Sequence, residues 1–159
     1  MASRNFDTGW CIGKRLIDVS GSFGTNGSSN PVAANVKGLG FGYAPVAGAY
    51  ALQTTIPVRP GITTTPGIVR STTGTYVLTL DDSYLDVNFF STDLQVASAS
   101  ANWAQPGPIA NVNVANQAPN VTIFVINSAG TLQDVAAGAN SRVHFFLQMR
   151  DSTVGFSKP

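Results

Sequence analysis

Glutamate is missing from this sequence altogether, and lysine occurs only three times. These two residues normally furnish exposed helix faces and their i,i+4 ion pairs, so a helical surface has little to be built from. Charged side chains of all kinds make up 11% of the chain, against roughly 25% in an average globular domain. The net charge is only +1, and the Lys and Arg residues are scattered; a nucleic-acid binder would cluster them, so no nucleic-acid partner is expected. Cys11 stands alone, which excludes an intramolecular disulfide framework and a cysteine-rich zinc site. It reads as a small hydrophobe beside Trp10. His144 is the one histidine. A Ser-His-Asp triad would have to be built on it, and zinc would need ligands the chain lacks. No enzymatic activity, catalytic residue, metal or cofactor is therefore expected. Apolar runs long enough for a bilayer, about 18 residues, are also missing; the stretch from Leu39 to Leu52 is short and broken by Pro45, so no membrane partner is expected. The opening Met-Ala-Ser-Arg-Asn-Phe-Asp has no apolar core of a secretory signal, and synthesis without export from a cytoplasm is the expectation.

What the chain has instead is 15 Thr, 14 Ser, 12 Asn, 16 Gly and nine Pro. Small neutral polar groups take over the task of solubility, and Gly and Pro supply turns. At 159 residues the expectation is a single β domain over 14–159, preceded by an arm at 1–13. The best-bounded strand is Thr75 to Leu80. Tyr76, Leu78 and Leu80 form an apolar stripe, while Thr75, Val77 and Thr79 leave a mixed face. Ser71-Thr72-Thr73-Gly74 is turn chemistry, so Ile68 to Ser71 pairs with this strand as a hairpin. Further strands are expected at Arg15 to Phe23, weakly at Val36 to Tyr43, Leu85 to Phe89 and Asp93 to Asn102, and strongly at Val121 to Ile126 and Arg142 to Arg150. Val121 to Ile126 is almost uninterrupted and reads as central and covered on both sides. Residues 44–67, with four prolines and Thr63-Thr64-Thr65, read as an inserted loop holding at most a short strand at Ala51 to Ile56. Gln105-Pro106-Gly107-Pro108 reads as a loop, and Asp134 to Asn140 as a helical turn or a wide loop. About eight strands without an amphipathic helix make an all-β, jelly-roll-like β-sandwich with long Gly/Pro/Thr-rich loops the expected fold.

Few constellations invite chemistry. Asp81 and Asp82, with Asp86 nearby, resemble a carboxylate pair, but adjacent strand positions face opposite ways and cannot flank a substrate; closing a turn is the expected role. Gly38, Gly40 and Gly42 mimic a phosphate loop, yet no helix pattern or Lys-Ser/Thr pair follows. Alternation puts His144 on the face of Phe146, as a packed or hydrogen-bonded side chain. Phe6, Trp10 and Ile12 in the arm, and Trp103 beside a loop, are the candidate residues of a protein interface.

Three segments, taken in order, give the chain a likeness. They are Ser20 to Pro31 followed by Val36-Lys37-Gly38; Ile68 to Tyr84; and Val121 to Ile126, then Asp134 to Asn140 and Arg142 to Val154. Together they resemble a family of small virion proteins of tailed bacteriophages, the capsid decoration (cement) or head-associated proteins. The likeness covers about two-thirds of the chain and departs between Gly38 and Gly67, where a shorter link belongs. It implies a structural protein on the outer capsid surface, with the major capsid protein and further copies of itself, as a homotrimer, for partners, and it carries over no catalytic residues. The alternative expectation is a receptor- or glycan-binding module of a phage head or tail fibre.

Overall fold

The computed structural model describes residues 16–31, 34–37, 43–46, 49–52, 67–80, 82–96, 101–138 and 141–151. The arm with Phe6, Trp10, Cys11 and Ile12 lies outside the described residues, as do Gly38, Gly40, Gly42, Asp81 and residues 53–66. Among the described residues there are ten strands and no helix: β1 (Leu16–Gly24), β2 (Ala34–Lys37), β3 (Tyr43–Val46), β4 (Ala49–Leu52), β5 (Gly67–Thr72), β6 (Thr75–Thr79), β7 (Tyr84–Gln95), β8 (Trp103–Ala110), β9 (Asn120–Ile126) and β10 (Arg142–Asp151). They form two four-stranded antiparallel sheets, β2-β1-β10-β7 and β5-β6-β9-β8, with β3 and β4 as a separate hairpin.

Alternation decides what the sheets bury. In the first, Val19 lies opposite Leu147 and Phe23 opposite Val143. In the second, the stripe Tyr76, Leu78 and Leu80 is fully buried, as expected, together with Val121, Ile123 and Val125. All of these belong to one apolar cluster, in which the Phe23 ring of the first sheet meets the Tyr76 ring of the second at 4.9 Å. Each large side chain so buried contributes about 1.5–3 kcal/mol.

Four expectations need correction. Leu85, Val87 and Phe89 do not share a face, because β7 carries register shifts opposite Gln148/Met149 and Arg150/Asp151. Val87 packs against the core, whereas Leu85 and Phe89 stay exposed; each extra residue in a bulge resets the alternation. Asp93 to Asn102 is not a separate strand: Asp93, Leu94 and Gln95 end the twelve-residue β7. Gln105-Pro106-Gly107-Pro108 is not a loop but part of β8, the outermost strand of its sheet, with a shift between Pro106 and Ile109. Proline is tolerated there because an edge strand has one side with no ladder to serve. β9 is central, yet its burial alternates, Thr122 and Phe124 being half-buried while Val121, Ile123 and Val125 are buried.

Two connections explain themselves locally. The β5–β6 turn places Gly74 at φ +59°, and a Cβ there would lie 2.5 Å from the Val125 carbonyl oxygen, so only glycine fits. Between β8 and β9, Asn111, Asn113 and Asn116 all adopt positive φ, the left-handed region that Asn tolerates best among residues with a Cβ. Leu147→Ala is expected to destabilise the fold by about 2–5 kcal/mol, and the exposed Leu85→Ala to stay within about 0.5 kcal/mol; urea unfolding followed by tryptophan fluorescence checks both.

Candidate functional site

The solvent face of β10 alternates with its core face and carries His144, Phe146, Gln148 and Arg150. The register sets Ser91 of β7 opposite Phe146 and Phe89 opposite Gln148. The two phenyl rings lie diagonally, centroids 5.9 Å apart and tilted by 56°. Phe89 is 53% exposed, so this pair presents an apolar surface on an otherwise polar sheet. Around it, His144 Nε2 meets Gln95 Oε1 at 3.0 Å, and Gln148 Nε2 donates to Asp18 Oδ1 at 3.3 Å. Ser91, Thr92, Asp93, His144, Phe145 and Phe146 line a shallow depression of about 190 Å³, below the roughly 300–1,000 Å³ of small-molecule pockets. The geometry suits contact more than enclosure.

A second polar assembly sits at one end of the sheets. Arg70 on β5 faces Asp134, its Nε donating to Oδ1 at 2.8 Å and a terminal nitrogen to Oδ2 at 2.6 Å. The Gly74 amide donates to the same Oδ1 at 2.8 Å. Asp134 is delivered there by backbone pairing: Val125 N donates to Gly74 O, and Gln133 N to Val125 O. The Arg70 bonds, against an opposing effect of burial and with help from Gly74, hold the Asp134 carboxyl below the usual carboxylate range. Arg70 is in turn held protonated by the hydrogen bonds it donates to Asp134. Below this node the Tyr76 phenol, desolvated and near the Asp134 charge, is pushed up to about 12 despite an opposing effect of Arg70.

The other expected residues fall in separate places. Trp103 opens β8 opposite Ile126 and is 43% exposed, compatible with a contact role but not on the Phe89–Phe146 face. His144 is hydrogen-bonded and shares its face with Phe146, as expected. Asp82 Oδ1 accepts the amide of the next residue, Ser83, at 2.7 Å. Asp134 to Gly138 is a loop; the carboxylate within it is the partner of Arg70. Among the described residues, no three His, Cys, Asp or Glu side chains gather as a metal cluster would require.

The chain has no match among protein-family profiles, curated proteins or solved structures.

Sequence reasoning missed two things of consequence. The alternation of Leu85, Val87 and Phe89 gives no sign of the bulge at Asn88 that turns Phe89 outward. The Arg70–Asp134 pair joins residues 64 positions apart, which no local spacing could reveal.

Asp134 supplies stability that is complete above its unfolded value of about 3.9 and is lost as pH falls through the lower folded value. Asp134→Asn is therefore expected to flatten the acid limb of a stability–pH curve measured by chemical unfolding. Tyr76 works at the other end: its folded value is raised, so stability falls as pH rises past the unfolded phenol's value of about 10. Tyr76→Phe is expected to keep the fold and lessen that alkaline loss, read as unfolding free energy against pH.

Proposed function

We propose that this chain is a non-enzymatic structural protein of a phage virion that binds the outer surface of the capsid and stabilises it. Its partners on this reading are the major capsid protein and two further copies of itself around a threefold position. The observation that carries the proposal is where the three segments of the likeness fall. Residues 20–31 hold the turn after β1, residues 68–84 the β5–β6 hairpin, and residues 121–154 both β9–β10 and Asp134. Separated in sequence, they meet through the Asn30–Arg70 and Arg70–Asp134 contacts. The segments that resemble virion proteins are thus one physical frame.

The finer fold reading, a jelly-roll-like sandwich, draws support from the strand order. The steps from β6 to β7, β7 to β8 and β9 to β10 each cross from one sheet to the other, the exchange of sheets that characterises a jelly roll. The surface supports docking without chemistry. It is rich in neutral polar groups, with exposed Val69, Phe89 and Trp103 as apolar anchors. Burying such anchors across several capsid subunits stabilises the shell by mass action. A second reading, a glycan-binding module of a head or tail fibre, is favoured by one feature. On the β7–β10 face, aromatic rings for sugar C–H groups stand beside His144, Gln95 and Asp93 for hydroxyls.

A reconstruction of intact particles is expected to place this protein on the capsid shell, and a glycan array to give no binding; density at the tail, or a glycan signal lost in Phe146→Ala, overturns the capsid reading. Trp103→Ala, and separately deletion of residues 2–12, are expected to lower particle occupancy and the temperature of genome release while the isolated protein melts unchanged.

A further inference from the structure

Independently of the virion reading, the turn after β1 contains the step Asn26-Gly27. In an unconstrained chain this dipeptide is chemically unstable. The Gly27 nitrogen attacks the Asn26 side-chain carbonyl carbon, forming a C–N bond and closing a succinimide. The side-chain nitrogen leaves as ammonia, taking up the amide proton, and water opens the ring at either carbonyl to aspartate or isoaspartate. Glycine in the second place leaves that attack unhindered.

The fold holds both reacting groups elsewhere. Gly27 N donates to Val135 O at 3.0 Å, which turns its hydrogen toward another segment. The Asn26 side-chain amide donates to Asn30 O at 3.2 Å, and Asn26 O accepts from Ser29 N at 3.0 Å. One residue earlier, Thr25 is 2% exposed and is anchored twice, its amide to Ser141 O and its hydroxyl to Ala136 O. Three of these acceptors, Val135, Ala136 and Ser141, belong to the stretch that begins at Asp134, itself clamped by Arg70. Gly27 cannot be released for attack without loosening that stretch.

We infer that Asn26 is a spontaneous modification site whose reactivity is set by how often the Arg70–Asp134 end of the molecule opens. The product makes the opening permanent. Deamidation removes the donor to Asn30 O and sets a carboxylate against that carbonyl, and isoaspartate adds a methylene to the backbone beside Gly27. Asn30 also binds the edge of β5, its Oδ1 accepting the Arg70 amide at 2.9 Å, so damage at Asn26 propagates to the tie between the β1–β2 connection and the second sheet.

The test incubates the full chain at mildly alkaline pH, folded and in urea, and follows the Asn26 peptide by mass spectrometry with isoaspartate detection. Loss of Asn26 is expected to be slower in the folded chain by about tenfold or more, the factor by which closed states outnumber open ones. Asp134→Asn, and Thr25→Val as a milder variant that removes only the hydroxyl tie, are expected to speed the folded-state reaction and leave the urea rate unchanged. Asn26→Asp is expected to hasten hydrogen exchange at the Arg70 amide. Equal folded and unfolded rates in the unaltered chain overturn the inference, as do folded-state rates that a folded variant leaves unmoved. Unchanged exchange at Arg70 in Asn26→Asp overturns the propagation.

Discussion

The bidentate contact between Arg70 and Asp134 is the constraint on which the arrangement of this chain rests. Both side chains are partly open to solvent, at 16% and 20%, so the net energy of the pair is modest after screening. Its importance is geometric. A planar guanidinium on a carboxylate fixes orientation as well as distance, and Asp134 Oδ1 spends its remaining capacity on the Gly74 amide. That places the β5–β6 turn, the end of β9 and the 133–138 segment in one register. The turn after β1 then has fixed acceptors to bind at Val135, Ala136 and Ser141. Glycine at 74 is a condition of the whole, since a side chain there would collide with the Val125 carbonyl and push β9 away.

What could be read from the sequence follows from which forces are local. The β6 stripe and the β10 alternation are written in period two, and burial follows them residue by residue, from Tyr76 to Leu80 and from Val143 to Met149. The hairpin turn was legible for the same reason: Thr73-Gly74 is chemistry that acts within four residues. β7 and β8 defeated the pattern because their irregularities answer to neighbours. A bulge at Asn88 exists because β10 pairs on both sides of it. β8 keeps its strand geometry through Pro106 and Pro108 because β9 supplies the ladder on one side, while the Phe124 ring lies over Gly107, where a Cβ would come within 2.8 Å. The candidate surface was half legible. His144 and Phe146 share a face by parity alone, but Phe89 joins them only through the bulge.

The edges of the second sheet decide what kind of contact this protein can make there. A free edge strand offers unpaired amides to any extended partner. On β8, Pro106 and Pro108 have no amide to offer. On β5, the outward amide of Arg70 is already taken by the Asn30 side chain, and that asparagine is held in turn by Asn26. Strand addition is therefore obstructed at both edges of this sheet. Several exposed apolar groups lie on faces and strand ends: Phe89 beside Phe146 on the first sheet, Trp103 at the start of β8 and Val69 on β5. Recognition through such groups reads side chains rather than backbone, so it tolerates a partner whose own sheets are closed. It also leaves the core undisturbed, because none of these side chains belongs to the buried cluster. Stability can then be altered through the Arg70–Asp134 node and the core without changing the exposed aromatics, and those aromatics can be altered without loosening the frame.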